Sequence, residues 1–259
     1  MSCNEIAQEL DIDAKMVERI IKEDLHFVCK NLRFIPHTLS DQHKENRVIC
    51  AQEAIRVLST RNSMHRLIFT DEKWLFHRPL GSPSVRKVWV APDGDAGSIA
   101  RRTISDPKHM LIMAACLDGK HYFEILNRGE TLNSERYITF LRNTLTAFVD
   151  DHPTHRIHFI IQHDNARPHI ALPVVQYLEQ QGIAVLKQAP YSPDTNLCDR
   201  LIFPALEMKR AKKVFEGKES IYDFVNEFLR DFTRNGLNTA KGNLERQLRL
   251  IIENDGDYC

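Results

Sequence analysis

Two short apolar runs, each followed by an aspartate, constrain this chain more than any other feature. Leu67-Ile68-Phe69 leads into Asp71 within Phe69-Thr70-Asp71-Glu72-Lys73-Trp74, and Ile157 to Ile161 leads into Asp164 within Gln162-His163-Asp164-Asn165. Runs of this length and composition read as buried strands, and the second is apolar enough to lie centrally in a sheet covered on both faces. Acids at the ends of such strands stand at a sheet edge, where open α/β folds bind ligands. A third acid, Asp199 in Asn196-Leu197-Cys198-Asp199-Arg200, opens a predicted helix 34 residues beyond the second (199 − 164 − 1 = 34).

The remaining pattern supplies a sheet and its cover. Met110 to Leu117 and His121 to Leu126 are apolar runs separated by Asp118-Gly119-Lys120, a hairpin signal in which Gly119 takes positive φ. Helical spacing predicts helices over 134–149, with Tyr137, Phe140, Leu141, Leu145 and Phe148 as the buried stripe, over 168–181 ending near Gly182, from about Asp199, and over 219–233 and 243–253. Residues 183–186 form another strand. Three strands, a helix, a strand, a helix, a strand and then helices predict an α/β fold, with a mixed five-stranded sheet flanked by helices.

Ahead of the sheet lie residues 4–10 and 13–25, apolar at helical spacing and separated by Asp11 and Asp13, either of which can cap the second helix. Such a pair fits a helix-turn-helix, whose second helix, here with Lys15 and Arg19, lies in a DNA major groove. Many helical hairpins share the pattern and bind nothing. Pro36 keeps residues 33–39 extended, and Ser40 is the predicted N-cap of a helix to about Leu58 carrying Val48, Ala51, Ile55 and Leu58 on one stripe. These signals divide the chain into 1–30 (helix-turn-helix), 31–60 (linker and helix) and 61–259 (the sheet-bearing domain that carries the three acids).

Composition excludes several classes. No stretch approaches the roughly 20 apolar residues that cross a bilayer, so no membrane partner is expected, and polar Asn4, Glu5 and Gln8 stand where a signal peptide needs an apolar core. The six cysteines are scattered without CxxC spacing, which predicts reduced thiols inside a cell. The formal net charge is +0, so any polyanion must be met by local clusters. Arg78, Arg86, Lys87, Arg101, Arg102 and Lys108 form one cluster and Lys209, Arg210, Lys212 and Lys213 another; each reads equally as a solvated face.

Asp71, Asp164 and Asp199 converge if the first and fourth strands are neighbours. Three clustered carboxylates repel one another, and a hard cation, Mg²⁺ or Mn²⁺, relieves that repulsion. A pair of ions roughly 3.5 to 4 Å apart suits in-line phosphoryl displacement. Taken singly, each Asp is as well explained as a helix cap or surface acid. On repulsion alone, Asp164→Ala is expected to leave the metal-free fold intact or slightly stabilised.

Four stretches carry a resemblance: Thr70-Asp71-Glu72-Lys73-Trp74, His163-Asp164-Asn165-Ala166-Arg167-Pro168-His169, Pro190-Tyr191-Ser192-Pro193-Asp194 followed by Asp199, and Ile252-Glu253-Asn254-Asp255-Gly256-Asp257-Tyr258. In these, and in the 34-residue gap before the third Asp, the chain resembles a mariner-family DNA transposase with an RNase H-like catalytic fold. The resemblance implies a nuclear, metal-dependent recombinase in which Asp71, Asp164 and Asp199 hold Mg²⁺ or Mn²⁺. It implies double-stranded DNA as partner, with cleavage at transposon inverted repeats and strand transfer into TA targets, and a homodimer joined in part by the segment Arg33 to Leu39.

Softer roles follow for neighbours in the matched blocks. Asn165 and His169 stand near the implied ions, with turn stabilisation and helix capping or solvent exposure as alternatives; Lys73, Arg101, Arg102 and Arg167 are candidate DNA contacts, with surface pairing as the alternative for Lys73 and Arg167. Trp74 and Trp89 read as packing residues.

The pattern also departs from the family. The first of the family's two helix-turn-helix modules is missing from this sequence, residues 1 to 60 show no basic excess, Thr195 replaces a usual Leu, and Gln247 falls near a usual Trp. A catalytically incomplete or domesticated DNA-binding or dimerising protein derived from a transposase is therefore the alternative expectation.

Overall fold

In a computed structural model of the chain, residues 3–25, 37–78, 106–150, 158–211, 213–235 and 239–258 are described. They form two compact units, Met1–Thr38 and Leu39–Cys259.

In the first unit, α1 (Cys3–Leu10) and α2 (Ala14–Arg19) are joined by a tight turn in which Asp11 takes φ 53°. Asp13 caps α2, its carboxylate accepting the Lys15 N–H at 2.8 Å. Beyond Arg19 the coil widens to i→i+5 bonding over Ile20–Asp24, so the helix expected over 13–25 is regular only in its first half. Ala7 and Val17 are buried, while Lys15 and Arg19 are exposed on α2.

The second unit opens with α3 (Asp41–Ser59). Ser40 caps it as the sequence predicts, with His43 completing the reciprocal bond usually made by Glu or Gln. The buried stripe is Arg47, Ala51, Ala54 and Leu58, and the last three join the same apolar core as the C-terminal helices. The boundary expected near residue 60 therefore falls at 38/39, because this helix belongs to the larger unit's core.

There follow α4 (Ser63–Arg66), β1 (Leu67–Phe76), β2 (Lys108–Cys116), β3 (His121–Ile125), α5 (Ser134–Asp150), β4 (Ile160–His163), α6 (Leu172–Gln180), β5 (Ala184–Lys187), α7 (Phe203–Arg210), α8 (Lys218–Asn235) and α9 (Ala240–Glu253). The sheet order is β3-β2-β1-β4-β5, with β1, β2 and β3 antiparallel in sequence and β4 parallel to both β1 and β5. Gly119, at φ 97°, turns the β2–β3 hairpin.

Strand alternation divides the core. Leu67, Phe69, Leu111 and Met113 face α3, α7, α8 and α9, whereas Ile68, Ile112, Ala114 and Ile161 face α5 and α6. Each fully buried Leu, Ile or Phe contributes about 1.5 to 3 kcal/mol, so both faces of β1 are strongly held.

Two expectations are corrected. β1 runs on through Asp71 to Phe76, because β2 pairs with it over that length (Asp71 opposite Met113, Phe76 opposite Lys108), so Asp71 lies within the strand. The helix expected from Pro168 starts at Leu172; before it, His169 and Ile170 donate their N–H groups to the Ala166 carbonyl in a turn. Among the described residues no helix is long and apolar enough to cross a membrane.

Candidate active site

Parallel pairing of β1 with β4 places Ile160 opposite Leu67, Ile161 opposite Ile68 and Gln162 opposite Phe69, a constant offset of 93 (160 − 67). Asp71 and Asp164 (164 − 71 = 93) each lie two residues beyond the last of these pairs, Asp164 being one residue past the end of β4. Neighbouring strands lie about 4.8 Å apart, so the two acids start from adjacent backbones. Asp71 shares the face of Phe69, which looks toward α7 to α9.

Asp199 reaches that face through its own loop. Asn196 donates from Nδ2 to the Thr70 carbonyl at 3.2 Å and accepts the Cys198 N–H at 2.9 Å, while the Cys198 thiol lies 3.8 Å from the Phe69 carbonyl. Asp199 is thus tied to the stretch of β1 that carries Asp71.

Asp71 Oδ1 accepts the Glu72 N–H at 2.8 Å, whereas Oδ2 is buried without a hydrogen-bond partner. Burial, and after it the carboxylates of Asp199 and Glu72, push the Asp71 carboxyl up to about 9. Burial raises Asp199 as well, against the opposing influence of Asp71 and Lys73. Without a cation, burial thus disfavours the ionised form of both carboxyl groups.

Asp164 behaves differently. Burial opposes its ionisation, but hydrogen bonds from His169 and the Ala166 N–H prevail and hold it below the usual carboxylate range. His169 is buried and spans two acids, with Nδ1 2.7 Å from Asp164 Oδ1 and Nε2 2.9 Å from Glu72 Oε1. Burial disfavours its cation, yet these bonds lift the imidazole to about 10, so both ring nitrogens donate. Burial and the His169 charge drive neighbouring His163 down to about 4. Tyr137, its hydroxyl 2.7 Å from Thr70 Oγ1, packs its ring 4.3 Å from His169.

These bonds argue against the slight stabilisation allowed for Asp164→Ala, since Asp164 is favoured as an anion, and the relief of repulsion belongs to Asp71. His169 neither caps a helix nor faces solvent, contrary to both alternatives considered for it. Asn165 stabilises its turn, donating to the Gln188 carbonyl at 2.9 Å. Lys73 lies 3.7 Å from Glu207 and 5.6 Å from the Phe203 ring centroid, and Arg167 is exposed in the turn before α6. Trp74 is partly buried beneath the Lys108 ammonium, 4.7 Å from its ring centroid. Arg101, Arg102 and Trp89, and most of the segment Arg33 to Leu39, lie outside the described residues.

Sequence reasoning missed Glu72 and Arg47. Glu72 sits inside a matched block, but only the fold shows it sharing His169 with Asp164. Arg47 carried no signal beyond being a basic residue on the apolar stripe of α3. Of the two family departures, Gln247 is buried and donates to Asp194 Oδ2 at 3.1 Å, and Thr195 bonds the Ser192 carbonyl at 2.8 Å, so both are built into the loop before Asp199.

The donor set of Asp71, Asp164 and Asp199 fits a hard divalent cation: carboxylate oxygens throughout, one of them buried and unpartnered. Among the described residues no group of three His, Cys, Asp or Glu side chains stands at coordinating spacing.

No protein-family model matches the chain. It is 31% identical over 229 residues to the Mariner Mos1 transposase of Drosophila mauritiana, an alignment covering 86% of this chain and 65% of that protein. Over most of its length the chain is thus similar to a mariner-family transposase. It is also similar to the human histone-lysine N-methyltransferase SETMAR, 27% identical over 240 residues, or 90% of this chain and 34% of SETMAR. The chain thus spans less than two thirds of the length of either relative. The crystal structure of the Mos1 mariner paired end complex with Mn matches with a TM-score of 0.82 at 27% identity, over 100% of this chain and 75% of that one. The mixed sheet and its helices are those of the RNase H-like Mos1 catalytic domain.

Proposed function

We propose that this protein is a cut-and-paste transposase that cleaves DNA at transposon inverted-repeat ends and joins them to TA target sites, with Asp71, Asp164 and Asp199 holding Mg²⁺ or Mn²⁺, in all two ions. The observation that carries this reading is the parallel pairing of β1 with β4, which puts Asp71 and Asp164 just beyond the same end of that ladder, beside the loop bonds that tie Asp199 to β1. Mos1 structures carrying Mn or Mg among the relatives support the choice of ion. A divalent cation bound there supplies a Lewis acid that lowers the pKa of an attacking water or 3′ hydroxyl and offsets charge developing at phosphorus.

The chain's own residues supply the rest. His169 and Glu72 fix the Asp164 carboxylate, Asp71 and Asp199 offer carboxyl groups whose ionisation burial disfavours until a cation offsets it, and Lys73 stands beside Asp199. Residues 1–30, with Lys15 and Arg19, act as the helix-turn-helix that grips transposon DNA, and 31–60, whose helix α3 packs into the larger unit, lead into the catalytic residues 61–259. Arg101, Arg102 and Arg167 take phosphate contacts, and two copies, working in the nucleus, hold two ends together. A relative whose match is the Mos1 transposase paired-end complex with left transposon end supports DNA as the partner.

The test is nicking of an inverted-repeat substrate by the purified chain with Mg²⁺ or Mn²⁺, beside Asp71→Asn. Metal-dependent nicking that the variant loses supports the enzyme. DNA binding without reaction in either protein refutes it and favours a DNA-binding scaffold.

A further inference from the structure

The loop that delivers Asp199 is gripped at its far end by Arg47, whose side chain is fully buried on α3. Its Nε donates to the Gly256 carbonyl at 2.8 Å, Nη1 to Ser192 Oγ at 2.9 Å and to Asp194 Oδ1 at 2.8 Å, and Nη2 to Asp194 Oδ2 at 2.7 Å. The Tyr258 ring centroid lies 4.6 Å from the guanidinium carbon. Two motifs far apart in sequence, Pro190 to Asp194 and Gly256 to Tyr258, therefore meet on one cation. The Tyr258 hydroxyl closes the assembly by donating to the Tyr191 carbonyl at 2.7 Å.

From that grip a continuous set of bonds leads to the carboxylates. Thr195 is fixed through its hydroxyl to the Ser192 carbonyl at 2.8 Å and through its own carbonyl to Gln162 Nε2 at 3.2 Å. Asn196 then bonds the Thr70 carbonyl at 3.2 Å, next to Asp71, and the Cys198 N–H at 2.9 Å, next to Asp199. The segment from Asp194 to Asp199 is thus pinned at one end to α3 and at the other to β1, and neither pin is itself a member of the acidic cluster. A bidentate Arg–carboxylate pair fixes both distance and plane, which a lysine ammonium does not.

We propose that Arg47 is a positioning residue that sets Asp199 against Asp71 and so governs how tightly the three carboxylates bind a divalent cation, a role that rests on the cation-binding reading given under Proposed function. Residues that orient metal ligands from behind change affinity without touching the ion.

The test titrates the full chain with Mn²⁺, reading free ion by electron paramagnetic resonance, and records thermal melting without metal. The proteins are wild type, Arg47→Lys, Gln247→Leu, which removes one bond to Asp194, and Phe148→Leu, a destabilising control in the core on the opposite sheet face. Arg47→Lys is expected to weaken Mn²⁺ binding about tenfold or more. Gln247→Leu should weaken it less, and Phe148→Leu should leave it unchanged although it melts earlier. Folded Arg47→Lys with wild-type affinity overturns the proposal; if that variant does not fold, unchanged affinity in Gln247→Leu overturns it. Equal weakening in Phe148→Leu also overturns it, since the effect would then be one of general stability. A wild-type chain that binds no Mn²⁺ overturns the cation reading itself and this role with it.

Discussion

Asp164 follows the last residue of β4 and Asp71 lies on the neighbouring strand β1, two residues beyond the last β1–β4 pair, yet the two carboxylates are held in opposite electrostatic states. Asp164 is kept ionised by His169 and a backbone N–H. Asp71 is buried with one oxygen unpartnered and faces Asp199, so it retains its proton near neutrality in the metal-free protein. That asymmetry makes their substitutions behave differently.

Asp71→Asn should stabilise the metal-free fold at neutral pH. The folded-state value of about 9 lies above the unfolded value near 3.9, so the folded chain binds the proton more tightly. Stability from this group is full below the unfolded value and is lost as pH rises toward 9. In urea unfolding with chelator present, the variant should gain about 1 to 3 kcal/mol at pH 8 and little at pH 4. Equal stability of the two proteins at both pH values contradicts the shift.

His169→Asn should destabilise. The lost ion pairs leave Glu72 and Asp164 without their shared cation, at roughly 2 kcal/mol, less than for a fully enclosed pair because the Asp164 side chain is 45% exposed. The imidazole is raised from 6.5 to about 10, so its contribution is complete below pH 6.5 and fades as pH climbs through 10. Denaturant melts of both proteins across pH 6 to 10.5 should show the gap narrowing steadily above pH 6.5 and levelling off above about 10.

Gly256→Ala should disrupt the C-terminal turn. Gly256 takes φ +86°, and a Cβ added there would stand 2.1 Å from the Lys44 carbonyl oxygen, which is backbone and has little room to yield. The same residue's carbonyl receives Arg47 Nε. Strain and displacement together should cost about 2 kcal/mol or more, read as a lowered melting temperature. Gly217→Ala, where an added Cβ meets nothing within 4 Å and the backbone is not left-handed, is the matched control and should change little.

Addition of Mn²⁺ should raise the melting temperature of the wild type and leave that of Asp71→Asn nearly unmoved, because binding to the folded state alone stabilises by mass action. A wild-type shift reproduced in the variant would place the ion elsewhere.

Local signals made most elements legible in the sequence. The Ser40 cap, the Gly119 hairpin and the Tyr137, Phe140, Leu141 and Phe148 stripe follow from spacing and side-chain chemistry, and each lies where the sequence puts it. The end of β1 was not legible, because the polar stretch from Asp71 to Lys73 stays extended only through pairing with β2. Glu72 and Arg47 were hidden for the same reason: their partners, His169 and Asp194, are 97 and 147 residues away, and nothing local encodes that meeting. The charge state of Asp164 depends on a neighbour five residues on, but only the turn at Ala166 brings that imidazole back onto it.

The most direct measurement is anomalous diffraction from crystals of the chain soaked in Mn²⁺. The account predicts density for the ion bounded by the carboxylates of Asp71, Asp164 and Asp199, with Asp71 Oδ2 among its ligands. Manganese bound only at other surface acids, with no density beside Asp71, would contradict it.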